Sequence, residues 1–201
     1  MTSPQLNAHT APVLTFLSGL VLFFAPHSAA ILSPKRRARW ITRFGAGPWK
    51  AGYSLLSALG LGLIIVGFGM ARQHPVVLYV PPAWLRPLTF LLMLPVFPLL
   101  IASYAPGTIQ RRIRHPMLMA VKCWASAHLL ANGMLVHVLL FGSFLLWAVL
   151  DRISLRRRAS AAPPGLPAGR YNDLAAVVLG LLLYGLVVWR GHALIIGVPV
   201  V

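Results

Sequence analysis

RRIRHPMLMAVKCWASAHLLANGMLVHVLLFGSFLLWAVLDRISL, residues 111–155, decides the fold. It reads as a basic edge, an apolar helix (Met117–Ala131), a tight turn at Asn132-Gly133, and a second apolar helix (Met134–Leu150) that returns to bases after Asp151. His128, His137 and Lys122 lie within the apolar runs. Polar side chains at membrane depth are costly, so each needs a partner, a ligand or a route to the surface. Asn and Gly both tolerate the left-handed backbone that ends a helix, which is the expected turn chemistry at 132–133.

Working outward, the same alternation repeats. Val13–Leu32 and Ala51–Met70 are apolar runs of 20 residues each, long enough to span a bilayer. Leu88–Tyr104, interrupted by Pro95 and Pro98, and Leu174–Trp189 complete a set of six. Met117–Ala131 is the short one: at about 1.5 Å per residue it falls below the roughly 30 Å of a bilayer core. It either begins earlier, near Ile109, or stops below the far surface. Pro26, beside His27, removes a backbone hydrogen bond from the first helix and predicts a kink there. Ser54, Ala58 and Gly62 recur every four residues, a small stripe where another helix can approach.

Of 201 residues, 58% are hydrophobic and 10% charged, and only Asp151 and Asp173 are acidic. A soluble domain carries about 25% charged residues, so the fold class is an all-α polytopic membrane helix bundle of about six transmembrane helices. The net charge of +16 does not signal nucleic-acid binding, because the bases sit in short loops between apolar runs. Loops 33–50, 105–116 and 151–173 hold 6, 3 and 5 of the 18 Lys and Arg; the opposite side has Arg72, Arg86 and Arg190. Bases gather in cytoplasmic loops, so both termini are expected outside, in a multi-pass protein of a bacterial cytoplasmic membrane. No base precedes Lys35, so the first run reads as a retained helix, not a cleaved signal peptide. The chain reads as one domain, 1–201, with a polar N-terminal tail (1–11) and a flexible cytoplasmic linker (156–171). Its expected surroundings are the lipid bilayer and other membrane proteins.

The seven histidines are the main candidates for chemistry. His9 and His74 are peripheral. His115 precedes a proline at a helix edge; His137 and His192 belong near the outer edge. His27 and His128 lie within spans, where a neutral imidazole either bonds another helix or ligates a metal or haem iron. Their depths differ by roughly 8 Å at about 1.5 Å per residue. Lys122 is close enough to the basic edge for its ammonium to reach water. Asp173, with Asn172, is placed to cap the sixth helix. A single cysteine, Cys123, excludes an internal disulfide. With no carboxylate at membrane depth, proton coupling through a buried acid is not expected. No phosphate loop, dinucleotide fingerprint or HExxH motif is present.

The segments RHPMLMAVKCWASAHLLANG (114–133), LLFGSFLLWAVLDRIS (139–154), FFAPHSAAILSP (23–34), PWKAGYSLLSALGLGLIIVGFG (48–69) and YNDLAAVVLGLLLYGLVVWRGHALIIGVP (171–199) resemble the NnrU family of bacterial integral membrane proteins. The resemblance implies a tie to denitrification and nitrogen-oxide metabolism. It extends to the zeta-carotene isomerases, which hold haem b between two histidines. On that resemblance His27, in PHS, and His128, in WASAH, are the haem-binding residues and ligands of the haem iron. The relative's cysteine falls on Ala125, so no thiolate ligand is implied there. Two other functions stay open: a haem-dependent cis–trans isomerase of a polyene, and a cofactor-free membrane accessory or assembly factor. Whether the chain is an enzyme is left undecided.

The charge alternation makes a direct prediction. An alkaline phosphatase reporter, active only outside the cytoplasm, should be active when fused after Tyr79 and inactive when fused after Gly165. The reverse pattern would invert the topology.

Overall fold

A computed structural model describes residues 3–157 and 165–200, with side chains from residue 10 onward. Among these residues the chain is helical, without strands, and five helices are long and apolar enough to cross a membrane. The central stretch of the expected linker, 158–164, lies outside the described residues. The chain divides into two compact units, residues 1–80 with 133–143, and residues 81–132 with 144–201.

In the first unit, α1 (Ser3–Leu32) packs along α3 (Ala46–Ala71). The expected tail is helical from Ser3; Pro4 suits a first turn, whose N–H groups have no helical partner. The assigned helix also runs unbroken through Pro26. The α1–α3 seam is backbone against backbone. A Cβ on Gly60 would meet Phe23 N at 2.5 Å, one on Gly67 would meet Phe16 N at 2.4 Å, and one on Gly19 would meet Ile64 N at 2.6 Å. Gly60, Ile64 and Gly67 follow the i, i+4, i+7 spacing of one helix face. The expected stripe of Ser54, Ala58 and Gly62 is on an exposed face instead, with nothing within 4 Å of a Cβ on Gly62. Small residues occupy more than one face of α3, and only the face matched by Gly19 across the seam can close. Phe16, Leu20 and Ile64 are buried in it, and Phe68 packs on Phe16 with ring centres 6.2 Å apart.

The basic segment expected as a loop contains a helix, α2 (Pro34–Phe44). Pro34 sits at its first position, where a missing N–H costs nothing. Its bases leave Trp40, Ile41 and Phe44 for an apolar face. Arg37 lies 5.7 Å over the Trp49 ring.

At the other end of this unit, the loop after α3 meets the turn that precedes α8 (Leu135–Leu155). Leu78 N–H donates to Gly133 O at 2.8 Å, and Leu135 N–H donates to Val76 O at 2.8 Å. Gly133 is required here by approach and not by a left-handed backbone. A Cβ would lie 1.7 Å from Tyr79 O, and Gly133 is not among the positive-φ residues. Asn132 is extended, at φ −137°, and not left-handed either.

In the second unit the third span is interrupted at Pro95 between α4 (Leu85–Met93) and α5 (Val96–Ala102), where the missing N–H removes a helical hydrogen bond. Pro98 falls in the first turn of α5 and is harmless. Then α6 (Thr108–Ile113) ends at Arg114, whose φ of +64° is the only positive value on a non-glycine among the described residues. The fourth span therefore does not extend back to Ile109: α7 (Pro116–Ala131) starts afresh at Pro116. Its 16 residues cover about 24 Å, short of a full core. Val96, Leu99 and Ala120 form the core of this unit, flanked by Cys123 and Trp124.

The last span is α9 (Asn172–Leu186), a π-helical turn (Val187–Gly191) and α10 (His192–Ile196). Asp173 does not bond to its own helix's end as expected. Its carboxylate accepts Thr108 N–H at 2.7 Å and Ile109 N–H at 3.0 Å, closing the start of α6. Asn172 donates to Pro106 O and Pro167 O. These bonds tie together two of the basic loops that the charge count assigns to one side. Leu182, Leu194 and Ile195 are 66%, 81% and 77% exposed, the surface a bilayer would cover.

The seam predicts a contrast on one helix. Gly67→Val should cost about 2–3 kcal/mol through forced separation of backbones, whereas Gly62→Val should stay within about 0.5 kcal/mol. Thermal unfolding of both variants in the same detergent checks this; equal losses would show the seam is misplaced.

Candidate functional site

Three histidine rings share one local device. His27 on α1 bonds through Nδ1 to Phe23 O at 2.6 Å, and His128 on α7 bonds through Nδ1 to Trp124 O at 2.9 Å. Both carbonyls belong to the residue four positions earlier, one turn back on the same face. His192, at the start of α10, bonds through Nδ1 to Val198 O at 2.6 Å. A carbonyl only accepts, so Nδ1 carries the proton in each ring. In a neutral imidazole this places the lone pair on Nε2, the nitrogen then able to ligate a metal.

The surroundings of the three differ. His27 is half-buried in the first unit, stacked on Phe23 at 4.2 Å between ring centres and tilted against Tyr53 at 4.9 Å. His128 and His192 belong to the second unit and meet there: their ring centres are 6.5 Å apart and their planes 27° from parallel. Trp124 packs on His128 at 5.4 Å, and Asn132 Nδ2 donates to His128 O at 3.0 Å, satisfying a carbonyl the helix end leaves open.

Both rings line a cavity of about 340 Å³. Phe90, Phe97, Val187 and Val188 give it apolar walls; Arg86, Asn132 and Tyr184 add polar groups. Its volume is within the usual range for small-ligand sites. The π-helical turn supplies Val187 and Val188, and such turns recur at functional sites. Tyr184 Oη donates to Phe90 O at 3.2 Å, bracing α9 against α4. Gly197, left-handed at φ +77°, ends α10 and turns the chain back, so that Val198 O reaches His192 and Val200 O accepts from Arg86 at 2.7 Å.

The family follows from the whole chain. The model of a family described as NnrU protein matches residues 15–200. The chain belongs to the NnrU family. Neither the curated proteins nor the solved structures yield a match to it. In this NnrU-family chain the remaining candidates are dispersed. His137, on the first turn of α8, packs edge-on against Phe68 at 5.2 Å, and its buried Nδ1 has no hydrogen-bond partner among the described residues. His115 occupies the N-cap position of α7 without a side-chain capping bond. Lys122 and Cys123 are half-buried. No group of three or more His, Cys, Asp or Glu side chains fit to hold a metal ion occurs among the described residues.

Sequence reasoning missed His192 as a cavity residue. Its distance from His128 along the chain hides the pairing, and the only local cue is the Gly-Val-Pro turn that follows α10.

The turn at Gly197 predicts a local effect. Gly197→Ala should cost about 1–2 kcal/mol for the left-handed backbone. Amide exchange should accelerate across 192–197, where the His192 anchor is lost, and stay unchanged on α1. Unaltered exchange in α10 would show the anchor is not held by this turn.

Proposed function

We propose that this protein is a haem b-binding membrane protein of the bacterial cytoplasmic membrane, serving nitrogen-oxide metabolism. The carrying observation is His128, an imidazole fixed by a backbone carbonyl on the wall of an apolar cavity. The tie to nitrogen oxides rests on the family alone.

The residues present fit the group. Haem needs neutral imidazole ligands, a dry apolar slot and a cation for its propionates. His128 offers the first, Phe90, Phe97, Val187 and Val188 give the cavity apolar walls, and Arg86 is a cation on its rim. His27, the other histidine singled out by resemblance, has the same carbonyl-anchored ring. Haem b, when bound, would supply a one-electron iron couple. The chain's own part is to orient the ligand nitrogen, exclude water and set the polarity around the iron. The anchored Nδ1–H also raises the donor strength of Nε2, because the carbonyl pulls the N–H proton.

The test is absorption spectroscopy on detergent-purified protein from cells with ample haem supply. Oxidised and dithionite-reduced spectra should show a Soret band with sharp reduced α and β bands. His128→Ala should lose most of the haem or its low-spin signature. A featureless wild-type spectrum would sink the reading and leave a cofactor-free accessory role in front.

A further inference from the structure

We propose that α2 (Pro34–Phe44) is an in-plane membrane helix that binds anionic phospholipids, with Arg36, Arg39 and Arg43 on the phosphate and Trp40 and Phe44 among the acyl chains. The site belongs to the first unit, shares no residue with the cavity and does not depend on the haem reading.

Three observations carry the inference. First, the chain places α2 at a membrane surface. Only Ser33 separates it from the apolar span of α1, and only Gly45 from that of α3; it packs against both. Trp40 meets Trp49 at 6.0 Å between ring centres, and Arg37 lies over the same ring, so α2 is held to the start of α3 and is not a loose arm. Second, its faces are divided as an interfacial helix requires. Ile41 is half-buried, whereas Trp40 and Phe44 pack on each other at 4.7 Å and stay 44% and 50% exposed. Large rings left uncovered beside guanidiniums suit the head-group level, where one side is apolar and the other wet. Third, the bases converge. Arg36, Arg39 and Arg43 follow the i, i+3, i+7 spacing of one helix face, and with Trp40 and Phe44 they line one open recess.

Arg43 stands 5.2 Å over the Phe44 ring, at the seam between the basic and the apolar face. A phospholipid carries its phosphate at the same seam, between its tails and water, and a guanidinium meets phosphate oxygens with paired N–H donors. No acid of this unit can take that place, because Asp151 and Asp173 both belong to the other unit. Bases clustered directly beside a membrane span favour anionic head groups by about fivefold each.

The experiment titrates the full-length protein in neutral detergent with phosphatidylglycerol or phosphatidylcholine and counts bound lipid by native mass spectrometry. Size-exclusion profiles verify folding. The wild type should bind the first phosphatidylglycerol at least about tenfold more tightly than phosphatidylcholine, and Arg36→Gln/Arg39→Gln/Arg43→Gln should bring the two within about twofold. Arg112→Gln/Arg156→Gln/Arg157→Gln removes the same charge from other basic loops and should keep the preference. Arg36→Lys/Arg39→Lys/Arg43→Lys preserves the charge at these exposed positions, yet should lose at least about threefold in phosphatidylglycerol affinity, since lysine lacks the paired donors.

A preference that survives the α2 glutamine variant, or that falls equally in the distant one, overturns the site and leaves only overall charge. Unchanged affinity in the lysine variant overturns the phosphate contact. Displacement of the lipid by excess inorganic phosphate would make the recess a site for a free anion instead. Binding of a mixed-sequence single-stranded oligonucleotide, lost in the α2 glutamine variant and without any lipid preference in the wild type, would assign the helix to nucleic acid and overturn the proposal.

Discussion

In a hydrocarbon environment no water is available for an open backbone carbonyl or amide, so the chain has to satisfy each one itself. Much of this structure follows from that constraint. Polar side chains follow it too: Ser103 and Ser143 donate their hydroxyls to Leu99 O and Leu139 O, and Thr89 donates to Leu85 O, each sharing a carbonyl one helical turn back. Asn132 closes the end of α7 on His128 O, and the Asp173 carboxylate closes the start of α6. His27, His128 and His192 obey the same rule. Their Nδ1–H groups bond to carbonyls, and that bond sets which nitrogen keeps the lone pair. A structural need thus prepares the chemistry of the ring.

Without a hydrophobic force to press helices together in lipid, close packing has to do it. The first unit meets this with glycines opposed across the α1–α3 seam, and the second with Gly180 laid against Pro98, where a Cβ would lie 2.4 Å from the proline nitrogen. Side chains of ordinary size are then left to line what the helices enclose. The break at Pro95 and the π-helical turn at Val187–Gly191 are the two irregularities of these helices, and residues next to both, Met93 and Val187 among them, border the cavity. Irregular backbone at membrane depth is tolerated where it is covered by protein or lines a cavity.

The histidines illustrate how position and partner differ as evidence. His27 and His128 are equivalent in sequence terms: each lies in a span, and each has a carbonyl four residues back. Only the tertiary arrangement brings His192 beside His128; the left-handed Gly197 and the chain reversal after it bring Val198 O onto His192. His137 shows the converse. It is half-buried, with a buried Nδ1 that finds no hydrogen-bond partner among the described residues, yet its neighbours are the rings of Phe68 and Phe141 and it does not line the cavity.

The sequence by itself determined the class of fold, a helical chain with several segments long and apolar enough to cross a membrane. Hydropathy and charge act residue by residue along the chain, and the bilayer reads them in the same way. Pro95 marked the interruption of the third span for an equally local reason, a missing N–H. The tertiary structure alone decided which glycine face of α3 closes on α1, which helix end Asp173 serves, why residue 133 is glycine, and which histidine faces His128. Each of these depends on the approach of segments far apart in the chain. No local propensity encodes a distance of 1.7 Å between a would-be Cβ at 133 and the carbonyl of Tyr79.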